Sequence, residues 1–159
     1  MIIFLTDSIA TSIENDERLS ELDYCLSTLA SEFIKGTHII LGDRQTIQVI
    51  YSQNKILSEG CKKVYLKIYN NLTSLSVLID YCNEYMEIST TIHNKQKRKS
   101  KNKNVYSIPI EDVNLKSFTY RPYLLCENNS DCAFFEKFFN YYLVNHPNIR
   151  GVKFTGENR

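Results

Sequence analysis

The chain contains no tryptophan, and only five glycines and three prolines in 159 residues. That scarcity excludes collagen-like and low-complexity architectures, which depend on glycine, proline or repeated polar tracts. No apolar run approaches the roughly 20 residues that a spanning helix needs. The opening Met1-Ile2-Ile3-Phe4-Leu5 is apolar, but it lacks a basic flank and meets Asp7 almost at once, so it reads as neither secretory signal nor membrane anchor. Cysteine is odd in number, at Cys25, Cys61, Cys82, Cys126 and Cys132, and forms no C-x-x-C pair. This argues against a disulfide framework or a zinc site and for reduced thiols in a cytoplasmic setting. The formal charge is only +1, so nucleic acid would have to be bound by a local patch and not by the overall field. There is no phosphate-cradling G-x-x-x-x-G-K-[ST] or G-x-G-x-x-G loop, and His38, His93 and His146 lie far apart with no H-x-x-x-H spacing.

With 43% hydrophobic residues, the chain can bury a real core, as one domain or one and a fraction. Residues 2–5 form an apolar run of strand length. A helix is expected from Asn15 or Asp16, because Leu19, Leu22, Leu26, Leu29 and Phe33 recur at helical spacing until Lys35-Gly36. Residues 37–41 read as a second strand closed by Gly42-Asp43, and residues 44–53 as a helix carrying Ile47, Val49 and Ile50. Strand, helix, strand, helix predicts an α/β fold with a parallel sheet. Residues 61–69 fit helix or strand; residues 74–86 read as helix, with Leu75, Leu78, Ile79 and Cys82 on one face. The run 94–104 is polar and strongly basic, which favours a solvated linker. It divides the chain into an α/β unit over 1–93 and a second unit over 105–159, opening with an edge strand at 105–113 interrupted by Pro109.

Two aspartates follow the two candidate parallel strands, Asp7 after residues 2–5 and Asp43 after residues 37–41. Both would project from the carboxyl edge of one sheet, where they could share Mg²⁺ or Mn²⁺, with Asp80, Glu84 or Glu87 as a third acid. This order resembles the opening of a PIN-like ribonuclease domain. The alternative is local, with both aspartates capping helices after strands.

Downstream, Tyr123-Leu124-Leu125-Cys126 reads as a buried strand, and Glu127-Asn128-Asn129-Ser130-Asp131 as a turn into an amphipathic helix carrying Phe134 and Phe138. The order of strand, glutamate, turn, aspartate and helix resembles the start of the Toprim module of topoisomerases, primases and OLD-family nucleases. Asn128 stands where that family commonly has glycine, a mild exchange because Asn tolerates a left-handed turn. The resemblance implies that Glu127 acts as general acid or base and as a metal neighbour, with Asp131 shaping the turn. The family's metal-binding acid pair lies farther downstream than residues 152–154, so further residues or a partner would complete the site. The local alternative makes Ser130 or Asp131 a helix cap.

In the basic run, Lys97, Arg98, Lys99 and Lys101 could contact phosphates, with Tyr106 available to stack on a base. The leading expectation is a metal-dependent nuclease component acting on DNA or RNA, of the kind found in prokaryotic defence or toxin systems, with a protein partner or a second copy completing it. A non-catalytic adaptor or inhibitor is the alternative, since Phe134, Phe135, Phe138, Phe139, Tyr141 and Tyr142 nearly encircle their helix. A ligand-sensing α/β domain is the third reading.

Overall fold

A computed structural model of the chain describes residues 1–113 together with Phe134 and Lys137. The Toprim-like segment with Glu127 and Asp131, and the strand expected at 152–154, lie outside these described residues.

Strand β1 is Ile2–Leu5, with Ile2, Ile3 and Leu5 buried. Burial of successive residues, which point to opposite sides of a sheet, means that both faces are covered. Thr6 stays extended, and the chain turns directly into helix α1, Asp7–Glu14. A turn at 15–18, with Asp16 and Arg18 at positive φ of 59° and 54°, leads to α2, Leu19–Ile34. Gly36, at φ 72°, takes the left-handed conformation that ends many helices. Strand β2 is Ile39–Gly42, and Asp43 is the N-terminal cap residue of α3, Arg44–Ser52. Ser58 opens the long α4, Glu59–Tyr81, its hydroxyl accepting from the Cys61 amide at 3.3 Å. Strands β3, Glu84–Ser89, β4, Gln96–Ser100, and β5, Lys103–Pro109, follow, and a single 3₁₀ turn spans Ile110–Asp112.

Among the described residues the strands form one five-stranded sheet in the order β2-β1-β3-β5-β4. Of these strands β1, β2, β3 and β5 run parallel, and β4 is antiparallel to β5. The α/β class read from the sequence is therefore the observed one. Ile3, Leu5, Ile40 and Ile88 join Leu22, Leu26, Leu29, Ile47, Tyr65 and Ile68 in one core. The Tyr65 hydroxyl reaches that interior without being stranded, because it donates to the Leu26 carbonyl at 2.9 Å.

Several local expectations change. The basic run is a hairpin and not a loop: β4 pairs with β5 around a two-residue turn, Lys101-Asn102, with φ of 47° and 66°. Two left-handed residues match the twist of an antiparallel pair. β5 lies inside the sheet between β3 and β4, so residues placed on either side of the expected boundary share one sheet, and Pro109 ends the strand instead of interrupting it. The ambiguous 61–69 and the expected helix at 74–86 merge into α4, which stops at Tyr81; Glu84, Met86 and Glu87 belong to β3. Lys103 supplies the stop, its ammonium donating to the carbonyls of Ile79 and Cys82 at the end of α4.

Gly42 is needed for space. A Cβ there would lie 3.0 Å from Ile47 Cδ1 and 3.1 Å from the Leu5 carbonyl oxygen, a sheet atom that cannot retreat. Gly42→Ala should lower stability by about 1 kcal/mol, as overpacking does. Thermal and urea unfolding of the two proteins checks this, and equal midpoints would contradict it.

Candidate functional site

In an open sheet the connections leave a crevice where neighbouring strands send the chain in opposite directions. Here the chain passes from β1 to β2 on one flank and returns as β3 on the other, so that crevice opens at the carboxyl ends of β1 and β3. A cleft of about 300 Å³ lies there, lined by Asp7, Ser8, Thr11, Ser12, Glu17, Arg18, Thr90 and Thr91.

Its floor is made of hydroxyls. Ser8 and Ser12 are one turn apart on α1 and share a face. The Ser8 hydroxyl lies 2.8 Å from that of Thr6 and 3.0 Å from that of Ser89, and it accepts from the Thr90 amide at 3.0 Å. Thr90 donates to the Ser8 carbonyl at 2.9 Å and accepts from Ser12 at 2.9 Å. Ser8, Ser12, Ser89 and Thr90 are all buried, and these contacts satisfy polar groups that would otherwise be costly to enclose. The network fixes α1 against the end of β3 and leaves the exposed Asp7 at the start of the helix, where the dipole complements a negative charge.

The opposite wall comes from the turn before α2. Arg18, in the left-handed region, donates to the Thr90 carbonyl at 3.1 Å and pairs with Glu111 at 2.5 Å. Hydrogen bonding at its own backbone amide, followed by the Arg18 contact, holds the Glu111 carboxyl below the usual carboxylate range against the opposing effect of burial. A non-glycine residue kept at positive φ is a form of strain that concentrates at functional sites. Asp16 is paired with Lys55 and is not part of the cleft lining. Asp7 and Glu17 are different: neither side-chain carboxylate has an ion pair or hydrogen bond among the described residues.

The cleft thus offers two uncommitted carboxylates, a tethered guanidinium and several hydroxyls. All the oxygen donors are hard ligands of the type Mg²⁺ or Mn²⁺ accepts, and Mg²⁺ commonly uses one or two carboxylates together with substrate phosphate. No group of three or more His, Cys, Asp or Glu side chains among the described residues is arranged to hold a metal unaided. Of the residues expected from sequence, Asp7 lines the cleft, Asp43 occupies the N-cap position of α3 without a side-chain capping hydrogen bond and is not part of the cleft lining, and Glu127 lies outside the described residues. Glu87 does not join Asp7, since it is engaged on the sheet by Arg98 and Ser107. Glu17, Arg18, Thr90 and Thr91 were not expected. The sequence carries repeated hydroxyls in Ser8-x-x-Thr11-Ser12 and Ser89-Thr90-Thr91, a pattern that marks neither Glu17 nor Arg18 and does not reveal that the two segments meet.

Thr90→Val keeps the side-chain shape but leaves Ser12 and the Ser8 carbonyl short of a partner. It should cost about 1–3 kcal/mol, whereas Thr90→Ser, which keeps the hydroxyl, should cost less; chemical denaturation of both variants measures the difference, and equal losses would contradict a hydrogen-bonding role.

Among the described residues no helix is long and apolar enough to cross a membrane. Searches against protein-family models, curated proteins and solved structures found no match to the chain.

Proposed function

We propose that the chain is a metal-dependent nuclease component and that the β1/β3 cleft takes part in phosphodiester cleavage. The single observation that supports this reading is the presence of Asp7 and Glu17, both uncommitted, in one cleft at the strand-order reversal. These two carboxylates would hold Mg²⁺ or Mn²⁺, and a divalent ion there supplies charge stabilisation to the oxygens of the reacting phosphate. Arg18 would orient a non-bridging phosphate oxygen from the facing wall, its position maintained by Thr90 and Glu111. The rigid hydroxyl floor would keep these groups in register, since small displacements in a catalytic site are expensive. Glu127, on the Toprim-like reading, would add a general acid or base. Asp43 is left out of the metal set.

A non-catalytic adaptor or inhibitor is the second reading. It is favoured by the end of α4, where Val77, Leu78 and Tyr81 are 47%, 38% and 82% exposed and lie within one turn of each other. Apolar side chains grouped on a surface in this way suit a protein interface with a partner or second copy.

Cleavage of single- and double-stranded DNA and RNA, assayed with Mg²⁺, Mn²⁺ or EDTA, separates the two. Wild type should cleave only with a divalent ion, and Asp7→Asn or Glu17→Gln should lower the rate by roughly two orders of magnitude, at least the loss typical for disturbing a metal site. Asp43→Asn should be near wild type. Cleavage lost in Glu127→Gln but intact in Asp7→Asn would move the chemistry away from this cleft. Absence of cleavage by folded protein under every metal, alone or with a co-purified partner, would leave the adaptor as the better reading.

A further inference from the structure

Six of the nineteen Lys and Arg residues, and none of the eighteen Asp and Glu, fall between positions 94 and 104, so the rest of the chain is net acidic. The hairpin sorts these cations by task. Arg98 lies on one face of the sheet, where it donates to both Glu87 carboxylate oxygens at 2.8 and 2.7 Å. Lys103 closes α4, and Lys95 approaches Asp112 at 3.6 Å. Lys97, Lys99 and Lys101 remain, all exposed and without an ion pair among the described residues.

Their placement is ordered. Lys97 is opposite Tyr106 and Lys99 opposite Asn104, so these four side chains occupy one face of the hairpin. The Lys97 ammonium stands 5.0 Å from the centre of the Tyr106 ring. Residues two apart on a strand are separated by about 6.7 Å, close to the interval between successive phosphates on a nucleic-acid strand. Lys101 extends the row into the turn, at a left-handed position where Asn or Gly would fit with less strain. Lysines on an edge strand also discourage sheet-to-sheet pairing. That role requires neither the exclusion of acids from the whole segment nor a lysine at a strained turn.

We propose that this face of the β4–β5 hairpin is a docking strip for the sugar-phosphate backbone of a nucleic acid, with Lys97, Lys99 and Lys101 as the phosphate contacts beside Tyr106. The strip deepens the nuclease reading, on which it rests for the identity of the polyanion, by naming where the substrate is held away from the cleft. Contacts of this kind are insensitive to base sequence and sensitive to salt.

Fluorescence anisotropy in EDTA, where metal-dependent cleavage is silent, tests it with labelled single-stranded and duplex DNA and RNA over a salt series. Lys97→Gln/Lys99→Gln/Lys101→Gln should weaken binding at low salt by at least about tenfold and reduce the log–log salt slope by about 3, one for each phosphate contact. The corresponding triple arginine protein should bind like wild type. Circular dichroism establishes that both triple variants fold. Equal affinity and slope in the glutamine and wild-type proteins would overturn the strip, as would loss of binding in the arginine protein or a preference for anionic lipid vesicles over every oligonucleotide. Lysine-dependent binding without cleavage in magnesium would uphold the strip and count against the catalytic reading alone.

Discussion

The joint between α1 and the end of β3 governs the candidate site, and Ser8 is at its centre. Its hydroxyl meets Thr6, Ser89 and the amide of Thr90, while its carbonyl accepts from the Thr90 side chain. Apolar packing could have closed this seam, but oil-like contact specifies position poorly compared with directed hydrogen bonds. The polar seam fixes where α1 begins relative to two parallel strands, and so fixes Asp7. It also provides the Thr90 carbonyl that holds Arg18. A cleft with charged walls follows from a few buried hydroxyls.

The middle of the sheet and its β4 edge carry different chemistry. Along β1 and at the carboxyl end of β3, both faces are covered and the functional groups collect at the carboxyl edge. At the β4 end, the strand is exposed along nearly all its length and carries the basic charge. Arg98 and Glu87 connect the outer hairpin to β3 through a pair whose carboxylate is largely enclosed, with a side-chain exposure of 13%. With the Arg98 guanidinium half exposed, at 50%, the pair adds little stability despite its bidentate geometry. The remaining lysines can then face solvent without disturbing the sheet.

The central architecture was legible because its periodicities are local. Ile2–Leu5 and the leucines of α2 announce a buried strand and an amphipathic helix, and Asp43 announces a helix start. Helix α1 escaped because it follows β1 without a loop, and because its buried face mixes Ser8 and Ser12 with Ile9 and Ile13. β4 escaped for the opposite reason: an edge strand exposed on both faces has no hydrophobic alternation to read. Asp7 could be nominated from its place after a strand. Glu17, Arg18 and Thr90 could not, since the relevant contact joins Ser8 to a residue 82 positions away, and only the return of β3 beside β1 makes it. Sequence order places residues after strands; sheet order decides which of those ends become neighbours.

On the proposed reading, Asp7 and Glu17 form one divalent-ion site. Isothermal titration of Mn²⁺ into wild-type protein, Asp7→Asn and Glu17→Gln addresses this directly and needs neither a substrate nor turnover. One saturable site in the wild type, weakened in each variant while Asp43→Asn is unaffected, is the expected result. Equal Mn²⁺ binding by all four proteins, or none by any of them, would contradict it.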